Sequence, residues 1–171
     1  MEFSQISGIG VALVTPFSED GSVDYDALER IIEHVIAGGV DHLVPLGTTG
    51  ETPTLSNQEK MDIIRFTVEK AGNRKPVVVG IGGNNTREII HHLETYPLDG
   101  VSAILSVSPY YSKPSSEGLY QHYKAVAAAT SKPVILYNVP HRTGRNIPAD
   151  VTLRLAGEIE NIVAIKEASG D

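Results

Sequence analysis

The chain reads as an α/β protein, part of a (β/α)₈ barrel, and three observations point there. Short β-branched apolar runs recur along the sequence, amphipathic stretches lie between them, and polar residues gather where the apolar runs end. The runs are 11–14, 41–46, 76–81, 101–107, 133–138 and 162–166. They are spaced by roughly 25 to 35 residues, the length of a strand-loop-helix-loop unit. Strict alternation of strand and helix implies a parallel sheet covered on both faces.

The helices follow in order. Residues 25–37 put Leu28, Ile31, Ile32 and Val35 on one face, and Gly38-Gly39 stops them. Ser56-Asn-Gln-Glu59 has the form of a capping box opening a helix over 61–71. Asn85-Thr-Arg-Glu88 offers a similar start ahead of 89–93. Residues 119–129 and 149–156 complete the series, with Pro148 at the first turn of the last.

An open doubly wound sheet also alternates, but its first strand-to-helix turn usually carries a glycine-rich phosphate loop. Here that turn is Thr15-Pro-Phe-Ser-Glu-Asp-Gly-Ser, and Gly80-Ile-Gly82-Gly83 lacks the third glycine, so it is read as a tight turn. Thr48, Thr49, Tyr110, Tyr111, Tyr137, Arg142 and Lys166 sit instead at the ends of several different apolar runs, as at the C-terminal mouth of a barrel.

Composition narrows the function. The net charge of −7 argues against non-specific binding to nucleic acid or an anionic membrane. The absence of cysteine excludes disulfides, thiolate metal sites and cysteine nucleophiles. No apolar stretch reaches membrane-spanning length, and residues 1–7 show neither a basic leader nor an apolar core. A cytoplasmic protein is expected.

Lys166 is the most informative residue. It closes the run Ile162-Val-Ala-Ile, which reads as a fully buried strand, where an ammonium is seldom left unpaired. Desolvation there would favour the neutral amine, the nucleophile that condenses with a carbonyl to form a Schiff base. The plainer alternative is a lysine snorkelling to water past a strand end. Period-two alternation pairs Lys166 with Ala164 on one face and Val163 with Ile165 on the other. On the preceding run Ile135 and Tyr137 share a direction, so an inward Tyr137 would lie beside an inward Lys166 as an acid/base partner.

Gly47-Thr-Thr-Gly-Glu51, Ser108-Pro-Tyr-Tyr111 with Lys113-Pro114, Glu117-Gly-Leu-Tyr-Gln-His122, Tyr137-Asn-Val-Pro140 with Arg142-Thr-Gly144, and Ile165-Lys-Glu-Ala-Ser-Gly-Asp171 run in order through the chain. In sequence and spacing they resemble the dihydrodipicolinate synthase family of pyruvate-dependent class I aldolases and lyases, from about Gly8 onward. The wider group includes N-acetylneuraminate lyase. That lyase usually has Gly-Ser-Thr-Gly where this chain has Gly-Thr-Thr-Gly, and Arg142 stands where the synthases hold the aldehyde's carboxylate.

The resemblance implies that Lys166 forms the Schiff base with pyruvate and that Tyr137 relays protons, linked through Thr48 to Tyr111. It implies that Thr48 and Thr49 receive pyruvate's carboxylate and that Arg142 receives that of L-aspartate 4-semialdehyde. The product would be 4-hydroxy-tetrahydrodipicolinate, on the route to diaminopimelate and lysine. Tyr111 would reach a neighbouring subunit, implying a homo-oligomer, a dimer or a tetramer built as a dimer of dimers. No cofactor is implied. A metal-dependent class II aldolase is the competing enzyme class, yet His34, His42, His91, His92, His122 and His141 form no convincing ligand set.

Length departs from the family. A complete barrel takes around 250 residues, and strands 7 and 8 with the C-terminal helical region have no counterpart in these 171. Residues 1–171 are therefore expected to be a partial barrel, a piece of a longer catalytic domain. A half-barrel completed by association and an inactive barrel fragment are the alternatives.

Family members inhibited by L-lysine bind it between two subunits, and the matching positions here include Thr52, Asn84, Glu88 and Tyr110. Sensitive members tend to carry His or Glu where this chain has Lys60. A second ammonium a few ångströms from the ligand's own costs about 1 to 4 kcal/mol, or roughly one to three orders of magnitude in affinity. Inhibition by lysine is thus predicted to be weak or absent at millimolar concentration. Titration with lysine at fixed pyruvate checks this, and half-inhibition below about a millimolar would refute it.

Overall fold

The computed structural model describes residues 6–170. Residues 1–5, part of the stretch read for a leader, and Asp171, the last residue of the Lys166 motif, lie outside them. Two compact units are present. The first runs to Gly80 and includes Pro97–Ser102; the second comprises Ile81–Tyr96 and the chain from Ala103 on.

In the first unit, β1 (Gly10–Ala12), α1 (Tyr25–Ala37), β2 (His42–Val44), α2 (Asn57–Ala71) and β3 (Val77–Gly80) alternate. β1 pairs in parallel with β2, Val11 opposite Leu43, and β2 with β3, Leu43 opposite Val77. The Asp24 carboxylate caps α1 by accepting from Ala27 N at 2.8 Å, and Leu28 and Ile32 are its buried residues. The expected capping box is present at α2: Ser56 N donates to Glu59 Oε2 at 2.8 Å and Glu59 N to Ser56 Oγ at 3.2 Å. It starts the helix at Asn57, four residues before the expected Met61, because the box forms the first turn while the apolar periodicity begins only at Met61. Gly72, at φ +56°, ends it in the left-handed region that glycine enters at least cost.

The second unit holds α3 (Thr86–Thr95), most of β4 (Val101–Val107), α4 (Ser116–Ala128), β5 (Val134–Asn138), the single-turn α5 (Pro140–Thr143), α6 (Ala149–Glu158) and β6 (Ile162–Glu167). β5 pairs in parallel with β4 on one side and β6 on the other. α4 opens at Ser116, ahead of the expected Leu119, because Ser115 Oγ accepts from Gly118 N. Pro148 stands just outside α6 as its extended N-cap rather than within its first turn. Leu119 and Tyr123 of α4, Leu155 of α6, Leu136 of β5, Ile162 of β6 and Ile147 form the heart of this unit's core. Burial at that depth pushes the Tyr123 phenol well above its ordinary range, and its hydroxyl donates to Ser106 O at 3.2 Å.

Two sequence expectations are corrected. Gly80–Gly83 is not a tight turn: Ile81 N donates to Leu105 O at 3.0 Å, continuing the strand direction alongside β4. A Cβ on Gly82 would stand 2.5 Å from Val107 N, so the glycine serves a close backbone approach. Nor is β6 fully buried. Ile162 is buried and Val163 and Ile165 partly so, whereas Ala164, Lys166 and Glu167 are exposed. Side chains alternate, Ile165 packs on the core, and the face carrying Ala164 and Lys166 is open.

His122 of α4 is buried, with its Nδ1 2.8 Å from Thr86 Oγ1 on α3. Burial lowers its pKa from 6.5 to about 4. Between those values the unfolded imidazole binds a proton that the folded one refuses. The stability contributed is therefore fully present above pH 6.5 and falls by roughly 3 kcal/mol as the pH drops towards 4. Denaturant unfolding at pH 7 and pH 4.5 should show a smaller loss on acidification in His122→Asn, which keeps a partner for Thr86 and does not titrate.

Candidate active site

In the first unit, the loop after β2 carries Thr48 and Thr49. Leu46 and Glu51, both in the left-handed region at φ +57° and +51°, bracket a 3₁₀ turn over Thr48–Gly50. Its shape is braced from within. Thr15 Oγ1 donates to Gly50 O at 2.7 Å, and Thr52 Oγ1 donates to Leu46 O at 2.8 Å. The Thr52 hydroxyl, read from the sequence as a regulatory contact, is thus committed to the loop's own carbonyls. Thr48 and Thr49 are exposed, and among the described residues their backbone N–H groups donate to no carbonyl. A pair of free amides on a braced loop can receive an anion. Lys60 is half-buried on the first turn of α2.

In the second unit, candidates lie at the carboxyl ends of β4, β5 and β6. Tyr137 lies opposite Lys166 in the parallel register, one step after Leu136 opposite Ile165. The Lys166 amine sits 4.4 Å from the centroid of the Tyr137 ring. The neighbouring placement expected from alternation is therefore present, with the amine over an aromatic face. Among the described residues Lys166 is exposed and Tyr137 is buried.

The next segments carry the remaining candidates. Val139-Pro-His-Arg-Thr-Gly144 forms α5, closed by Gly144 N donating to Pro140 O at 2.8 Å. Its buried Thr143 hydroxyl donates to Arg145 O at 2.9 Å, while Arg142 is exposed and without a side-chain partner among the described residues. After β4, Tyr111 and Lys113 occupy the left-handed region at φ +70° and +46°. The Tyr111 ring is 89% exposed, so the fold of this unit does not use it; Tyr110 is less exposed. Side chains held at positive φ cost about 1–3 kcal/mol each and persist where the surroundings over-determine them.

Arg145 supplies part of that determination, with Nε donating to Pro114 O at 3.1 Å and Nη2 to Ser116 Oγ at 3.0 Å. Sequence reasoning missed it, because its partners lie about thirty residues away and no local pattern announces them. It also missed Asn138, buried at 1% exposure, whose signal was legible: a polar residue closing an apolar run. Asn84 and Glu88 are both exposed. Asn85 caps α3 by accepting from Glu88 N, and the Glu88 carboxylate turns to within 4.0 Å of His92 Nε2. Among the described residues no three His, Cys, Asp or Glu side chains are placed to hold a metal ion, and no helix is long and apolar enough to cross a membrane.

The six parallel strands match the N-terminal part of a (β/α)₈ barrel. A solved 4-hydroxy-tetrahydrodipicolinate synthase from Methylacidiphilum fumariolicum superposes with a TM-score of 0.93 at 46% identity, covering 97% of this chain and 55% of its own. A chloride-inhibited dihydrodipicolinate synthase from Acinetobacter baumannii, solved in complex with pyruvate, gives 0.93 at 49% identity over 97% of this chain and 57% of its own. The model of the dihydrodipicolinate synthetase family matches residues 5–171, and the chain belongs to that family. The 4-hydroxy-tetrahydrodipicolinate synthase of Parabacteroides distasonis is 55% identical over 166 residues, 97% of this chain and 56% of the relative. The chain thus spans a little over half the length of the relatives it matches.

Proposed function

We propose that this chain carries the Schiff-base half of a 4-hydroxy-tetrahydrodipicolinate synthase site, within a homo-oligomeric cytoplasmic enzyme. The observation that carries the reading is the Lys166 amine 4.4 Å above the Tyr137 ring, in register at the carboxyl ends of adjacent parallel strands. Its support is the family membership and the shared name of relatives near 50% identity; those names favour the synthase over a sialic-acid lyase.

In this reading the neutral Lys166 amine attacks the ketone carbon of pyruvate, and loss of water leaves a protonated imine. That cation is an electron sink, so a methyl proton departs and an enamine forms. The enamine carbon bonds to the aldehyde carbon of aspartate semialdehyde, whose oxygen gains a proton. The adduct's own amine then attacks the imine carbon, closes the ring and expels Lys166. Tyr137, with Thr48 and Tyr111, passes the protons. The free amides at Thr48 and Thr49 hold pyruvate's carboxylate, and the Arg142 guanidinium holds that of the aldehyde by two parallel hydrogen bonds. Tyr111, unused by its own fold, extends towards a second subunit.

Borohydride reduction in the presence of pyruvate should add the reduced pyruvyl group to the peptide containing Lys166, and Lys166→Arg should abolish the adduct, since a guanidinium does not deprotonate. Labelling of Lys113 or Lys132 instead would overturn the assignment.

Tyr137→Phe removes only the hydroxyl, and turnover should fall by roughly 10²–10⁴-fold. Arg142→Ala should raise KM for the aldehyde and leave pyruvate trapping nearly intact. Steady-state kinetics with each substrate varied separates the two roles; a loss of trapping in Arg142→Ala would contradict the second.

A further inference from the structure

Asn138 and Glu167 each follow one member of the Tyr137–Lys166 pair, and the chemistry above uses neither. They are opposite one another in the register, one step beyond Tyr137 and Lys166. Successive strand residues face opposite ways, so their side chains leave the sheet on the side away from the amine.

There they meet. Asn138 Nδ2 donates to Glu167 Oε2 at 2.8 Å and Oε1 at 3.0 Å, and to Asn146 Oδ1 at 2.6 Å. An amide has two hydrogens, so one goes to Asn146 and the other is shared by the carboxylate oxygens. Asn138 Oδ1 accepts from Ile147 N at 3.0 Å, and because that N–H can only donate, it sets which way the amide points. Glu167 Oε1 accepts further from Ser169 N at 2.7 Å, while Ala168 N donates to Asn138 O at 2.9 Å. Hydrogen bonds from Asn138 and then Ser169 hold the Glu167 carboxyl below its usual range, so it is ionised at neutral pH and the bonds to it are charge-assisted.

Lys166 stands one residue from the end of β6. Backbone pairing near the end of a strand is a weak way to aim a long flexible side chain. We propose that the Asn138–Glu167 bridge is a positioning device. It fixes the end of β6 against β5, so that the Lys166 amine stays over the Tyr137 ring, and it ties both to Asn146 and Ile147, just after the α5 turn that contains Arg142. The proposal rests on the Schiff-base reading.

The test is the single-turnover rate of Lys166–pyruvate adduct formation, trapped by borohydride in the full-length enzyme, as a function of pyruvate. Glu167→Ala should lower the limiting rate by roughly 10- to 100-fold, the scale of a misplacement near 1 Å, with half-saturation by pyruvate unchanged. Glu167→Gln keeps an oxygen for Asn138 and should stay within several-fold of the parent. If Glu167→Ala does not fold, Glu167→Asp carries the test: it keeps the charge, falls one methylene short of Asn138, and should show the same slowing. Wild-type limiting rates in the Ala or Asp variant would overturn the proposal. So would a Gln variant as slow as Ala, or a shift confined to half-saturation. Absence of any Lys166 adduct in the parent enzyme would instead overturn the Schiff-base reading, and the bridge's role with it.

Discussion

The parallel register between β5 and β6 is the constraint on which the candidate site depends. It sets Tyr137 opposite Lys166, and it does so through a correction within the strands: Val134 lies opposite Ile162, but Ile135 opposite Ala164, so Val163 is an extra residue. A bulge of this kind re-aims every side chain beyond it. A slip of one further residue would send Lys166 into the core and bring Ile165 to the open face, burying an unpaired ammonium among Leu119, Leu136 and Leu155. The apolar face of β6 therefore protects the register, and the register places the amine.

Loops within each unit follow the same logic. Where a segment carries a group left facing outward, other side chains hold its backbone from behind. Thr15 and Thr52 bind the carbonyls of the loop that leaves the Thr48 and Thr49 amides free. Arg145 fastens the segment after Tyr111 and Lys113, two residues at positive φ. Thr143 closes α5 beneath Arg142, and Asn138 with Glu167 closes the strands beneath Lys166. These bracing groups are largely buried or internally satisfied, and the groups they serve are exposed. That division separates what holds the loops from what they present: the exposed groups do little for the fold.

Helices and strands were legible in the sequence because their signals are local. Alternation of β-branched runs with amphipathic stretches located all six strands, and the Ser56–Glu59 box and the Gly38-Gly39 stop are both present as read. The misjudged boundaries fall where capping residues extend a helix beyond its apolar stripe, as at Asn57 and Ser116. The pairing of Tyr137 with Lys166 was legible too, since strand parity and sequential strand order are properties of the chain.

Sequence alone therefore determined the alternating architecture, the family resemblance and the placement of Lys166 beside Tyr137. Tertiary structure alone decided which face of β6 packs on the core, that Gly82 serves a close approach to Val107 rather than a turn, and which polar residues brace the candidate site. Periodicity says which residues share a face but not whether that face is covered, because cover comes from distant chain. Likewise the partners of Asn138 and Arg145 lie 8 to 31 residues away, and a hydrogen bond across that separation exists only once the backbone has brought its two ends within about 3 Å.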